Sequence, residues 1–140
     1  MDRRLTYPIA LLAGVLLSFL AIFVMGLLAA IPTPTALRLD ATLHPVLAYL
    51  VSMTLLVHAP AAALAFVAGW LLFRLLGRSS LLLVLVCAAP WLAINGYLTT
   101  IATPPADRLH AFVDWYAWPG ILAIPVGLWL ASISVGKPAR

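Results

Sequence analysis

Four long apolar runs follow one another along the chain, covering residues 7–31, 45–73, 80–101 and 111–135. Short polar stretches rich in Pro, Gly, Asp and Arg separate them. A helix needs roughly 20 mostly apolar residues to cross a hydrocarbon core of about 30 Å. Each run meets that length. The pattern predicts an all-α fold, an integral membrane four-helix up-down bundle with kinks at prolines and a single domain over 1–140.

The breaks between runs have local causes. Pro32 and Pro34 stop the first run, because proline cannot continue a helix and restricts the residue before it. The second run begins at Pro45, a favoured residue in a first helical turn. Its ~28 residues would extend about 42 Å at ~1.5 Å per residue, more than a hydrocarbon core requires. It must tilt, bend or protrude, and Pro60 near its middle is the expected bend. Arg74, Gly77 and Arg78 form a turn, and Pro104-Pro105 marks the loop before the last run. Pro90, Pro119 and Pro125 fall inside the third and fourth runs. The first run begins with Arg3 and Arg4, as a signal peptide does. Yet its apolar stretch far exceeds a signal core of ~7–15 residues, so it reads as a retained span.

Composition supports a lipid solvent. Of the 140 residues 65% are hydrophobic and 9% charged, with mean hydropathy +1.13. Soluble domains carry about a quarter charged residues. The net charge of +4 and pI near 9.9 come from residues between the runs, so they report topology and argue against a nucleic-acid partner. Arg3, Arg4, Arg74, Arg78, Lys137 and Arg140 fall on one side, Arg38 and Arg108 on the other. The positive-inside rule then puts both termini in the cytoplasm. Tyr97, Trp115, Tyr116 and Trp118 form an outer aromatic belt, and Tyr7, Trp70 and Trp129 an inner one. This composition suits a bacterial inner membrane.

Polar chemistry is sparse. Asp40 and His44 are four apart, as are His110 and Asp114, so a helical pair would share one face. Together they could ligate a divalent metal, although solvated loop residues give the same pattern. Arg38 and Arg108 could face anionic head groups. His58, Thr54 and Asn95 are the intramembrane polar candidates. Such groups need partners, and His58 is expected to bond Asn95 or a carbonyl freed by a proline. His44 and His58, fourteen apart, return to within about 40° on an ideal helix, roughly 21 Å apart along it. Haem ligation would follow only if opposing histidines existed, and this chain supplies just His110. Cys87, the sole cysteine, cannot form an internal disulfide.

Ala10, Gly14 and Ser18 recur every four residues, as do Ala61, Ala65 and Gly69, which suits close helix contact within the bundle or with a partner. No nucleophile elbow, zinc-protease helix or phosphate loop occurs. No catalytic residue and no resident cofactor is assigned. The expectation is a non-catalytic accessory or assembly subunit of a larger membrane complex, associating with other subunits or with itself. The alternatives are a small oligomeric transporter or lipid-handling protein, and a histidine-based metal or haem protein.

Overall fold

The computed structural model describes residues 3–32, 34, 44–102, 104, 106 and 117–135. The described residues are helical, with no strand: α1 (Arg3–Ala29), α2 (Pro45–Met53), a π turn (Thr54–His58), α3 (Ala59–Leu76), α4 (Leu81–Ala102) and α5 (Trp118–Ser134). The π turn follows α2 without a break, and α3 follows it, so the three form one rod.

Three helices are long and apolar enough to cross a membrane: Leu5–Ala29, Pro45–Leu76 and Leu81–Leu98. The rod from Pro45 to Leu76 has 32 residues, about 48 Å at the α-helical rise. The fourth helix, α5, is apolar but shorter, with 17 residues. It starts at Trp118, and residues 111–116 of the expected fourth span lie outside the described residues.

Local sequence explains the ends. Pro45 opens α2, where its missing N–H would have been unpaired anyway. Gly77 closes α3 in the left-handed conformation, at φ 64°. Its N–H donates to the Arg74 carbonyl at 3.1 Å, and the Arg78 N–H donates to Phe73 at 3.2 Å. This double closure satisfies carbonyls that the helix end would otherwise orphan. Ser80 then caps α4, its Oγ accepting from the Leu83 N–H at 3.2 Å. Arg74 lies over the Trp70 ring, 4.9 Å from its centroid, one turn away on the same face.

The broadest contacts join helices two apart in the chain. α3 packs most extensively on α5, then α1 on α4, with α4–α5 and α1–α3 closing a ring. Sequential neighbours were expected to dominate, yet α3 and α4 make no comparable interface despite their short link. Small residues are the reason. Ala61, Ala65 and Gly69 on α3 are buried, and so are Ala123, Gly127 and Ala131 on α5. Each set is spaced by four, so each forms a shallow face that lets backbones approach. A Cβ on Gly127 would overlap the Ala62 carbonyl, and one on Gly69 would lie 2.8 Å from Leu128 Cδ2. Gly120 meets His58, Gly127 meets Ala62 to Phe66, and Gly69 meets Leu128 and Ala131. These contacts climb both helices together, so α3 and α5 run parallel.

The first helix behaves alike. Ala10, Gly14, Ser18 and Ala21 are buried, and a Cβ on Gly14 would overlap the Cys87 carbonyl of α4. Both small-residue faces read from the sequence are therefore spent within the chain. The opposite ridge of α1 carries exposed Leu12, Leu16, Phe19, Phe23 and Leu27.

Candidate functional site

Pro60 shapes the one irregular stretch within the long rod. It has no N–H to donate, and its ring would press on the carbonyl four residues earlier, that of Leu56. The rod adapts by widening. The Ala59 N–H donates to the Thr54 carbonyl, five residues back, which makes residues 54–58 a π turn. Such turns absorb one extra residue in an α-helix and often accompany functional sites. The bend expected at Pro60 thus takes the form of a π turn just before it.

His58 is the last residue of that turn. Its half-buried ring sits against the backbone of α5 at Gly120. A Cβ there would lie 3.2 Å from His58 Cε1 and 3.7 Å from both ring nitrogens. Glycine at 120 therefore gives the imidazole its berth. Pro119 beside it falls in the first turn of α5, where proline removes no helical hydrogen bond. The apolar pattern alone puts it inside a longer helix.

An open groove of about 230 Å³ lies beside His58. One wall is Thr54, His58, Ala59 and Ala62; the other is Pro119, Leu122, Ala123 and Val126. His58 and Thr54 are the polar members of an otherwise apolar lining. His58 Nδ1 is sealed from the outside and has no hydrogen-bond partner among the described residues. The expected bond to Asn95 does not form at this nitrogen. Asn95 Nδ2 donates instead to its own helix, to the Trp91 carbonyl at 2.9 Å.

His44 is exposed and works as a helix cap, its Nδ1 accepting from the Val46 N–H at 3.4 Å. Arg38, Asp40, Arg108, His110 and Asp114 lie outside the described residues, so the proposed metal set is placed only at His44. Among the described residues no three His, Cys, Asp or Glu side chains gather as metal ligands. The π turn between His44 and His58 also inserts a residue into the helical register. The near-alignment computed for an ideal helix therefore does not carry over.

A further polar contact was missed in the sequence. Trp91 Nε1 on α4 donates to the Ile121 carbonyl on α5 at 3.0 Å. Ile121 stands four residues before Pro125, which has no N–H to fill that carbonyl. The buried indole fills it instead, tying α4 to α5 (the spacing from Pro125 was the available signal). Four serine hydroxyls likewise donate to backbone. Ser18 donates to Gly14 at 2.7 Å, Ser52 to Tyr49 at 2.9 Å, Ser132 to Trp129 at 2.7 Å and Ser134 to Leu130 at 2.8 Å.

No family model, no curated protein and no solved structure matches this chain.

Proposed function

We propose that this chain is a four-span protein of a bacterial inner membrane, with both termini cytoplasmic, acting as a non-catalytic accessory or assembly subunit. One observation carries the reading: the division of faces on α1. Its small face is consumed against α4, while Leu12, Leu16, Phe19, Phe23 and Leu27 form an exposed ridge along the helix. The small-residue faces, spent internally, lend no support to a partner. The large apolar ridge does, because exposed contiguous apolar surface on such a scale suits lipid or another subunit. The serine hydroxyls bonded to backbone also suit a role without a nucleophile.

The test has two parts. On a Cys87→Ala background, single cysteines at Ser79 and Ala106 should label from the cytoplasmic and the outer face respectively. Extraction in mild detergent should then give a complex with other membrane proteins, and Phe19→Ala/Phe23→Ala should release the chain from it. A chain that purifies alone, monodisperse and active, would overturn the subunit reading.

A second reading, a small oligomeric lipid-handling protein or transporter, draws on the open groove at His58. Flux in proteoliposomes containing this chain alone would favour it.

A further inference from the structure

We infer that the groove beside the π turn binds a lipid-soluble quinone, its ring entering between α3 and α5 and a ring carbonyl accepting a hydrogen bond from His58 Nε2. The inference rests on the membrane-spanning reading, which puts His58 within the hydrocarbon.

A neutral imidazole has one N–H and one bare nitrogen. Nδ1 is sealed and has no partner among the described residues. Orphaned buried N–H groups are rarer than under-satisfied acceptors, so the proton belongs on Nε2. Nε2 is the ring's other nitrogen, and His58 lines the groove. The groove therefore presents a donor. In water a solvent molecule would meet it, but hydrocarbon offers none. A matched occupant must bring an acceptor.

Depth narrows the choice. His58 lies about 20 Å from Pro45 and about 27 Å from Leu76 along the rod. The acceptor must reach that depth. Phosphate and ester oxygens of a phospholipid stay at the interface with the head group. A quinone carries its carbonyls on a ring that itself dissolves in hydrocarbon. Size agrees. The groove of about 230 Å³ is below the ~300–1,000 Å³ of sites that enclose a drug-sized ligand. It fits a ring, with the isoprenoid tail left in lipid through the open side. Ala59 and Ala62 on one wall keep that side flat, and Leu122 and Val126 on the other supply apolar edges. Binding alone is inferred, with no electron transfer.

The experiment uses the full chain in phosphatidylcholine nanodiscs, titrated calorimetrically with a decyl-tailed benzoquinone against empty nanodiscs. The host lipid is in excess, so any saturable signal already measures preference over phospholipid. Wild type should bind saturably. His58→Leu should weaken binding by about tenfold, the scale of one lost hydrogen bond in apolar surroundings. Val126→Phe, at an exposed position on the rim, should do the same by filling the groove. His58→Gln, whose amide N–H falls near the Nε2 position, should stay within about threefold. Equal affinity in wild type, His58→Leu and Val126→Phe would overturn the site. So would the absence of saturable binding by monodisperse wild type. The cysteine labelling described above tests the membrane reading separately: correct labelling without quinone binding sinks this inference alone.

Discussion

The seam between α3 and α5 has two unlike halves. Toward the C-terminal ends, Ala65 and Gly69 meet Gly127, Leu128 and Ala131, and the backbones touch. Toward the N-terminal ends, the same two helices part around His58, Pro119 and the groove. One half is closed by small residues spaced by four. The other is opened by a proline-induced π turn and by the His58 imidazole. Close packing without side-chain volume needs regular helix, since a four-residue repeat keeps one face only at a constant helical pitch. Where Pro60 disturbs the pitch, the repeat loses its register and space appears.

That contrast can be broken most sharply at Gly127. A valine there would drive its Cβ into the Ala62 carbonyl, a rigid backbone atom. We expect a loss of about 3 kcal/mol or more, the upper end of overpacking costs, read as a lower denaturation midpoint in detergent. A small loss would show that the closed half is looser than its geometry indicates.

The next effect concerns how α4 holds the seam. Trp91→Phe should cost about 1–3 kcal/mol, because the Ile121 carbonyl is left bare. In the Trp91→Phe background, Pro125→Ala should recover part of that loss, since Ala at 125 restores the N–H that the carbonyl lacks. A double-mutant cycle reads this as coupling of opposite sign to the single loss. Strict additivity would mean that the indole does not stand in for the missing helical bond.

Smaller changes belong to the open half. Gly120→Ala would bring a Cβ to 3.2 Å from His58 Cε1, so the ring must give by a few tenths of an ångström. We expect under about 1 kcal/mol in stability, with a clear shift of the His58 imidazole resonances. Unmoved resonances would mean that the ring does not rest on Gly120. Ala59→Leu, on the exposed rim, should change stability by no more than about 0.5 kcal/mol. A larger loss would mean that the groove is tightly packed rather than open.

The sequence reading was strongest where the cause of structure is local. Pro45, Gly77 and Ser80 mark helix ends because each acts on backbone groups within a few residues of itself. The π turn was half legible: Pro60 announced a disturbance, but not whether the rod would kink or widen. His58 stands out in the sequence as a polar group needing a partner, and the bond expected to Asn95 is absent at Nδ1. The sequence places the two within about a turn of one another along their spans, yet such a level does not say which helices touch. The spacing of Ala123, Gly127 and Ala131 was present in the sequence and overlooked, being masked by two prolines and an abundance of alanine.

By itself, then, the sequence determined an all-helical chain of long apolar runs with their punctuation, and the structure shows three of them as helices of membrane length. These follow from hydrophobic run length and from backbone chemistry that acts over one turn. Only the tertiary structure decided that α3 lies along α5 rather than along its chain neighbour α4. It alone placed the indole of Trp91 on the carbonyl bared by Pro125, and the ring of His58 on Gly120. Those choices depend on which shallow faces fit one another across the bundle, and complementarity between distant segments is not written in the periodicity of either one.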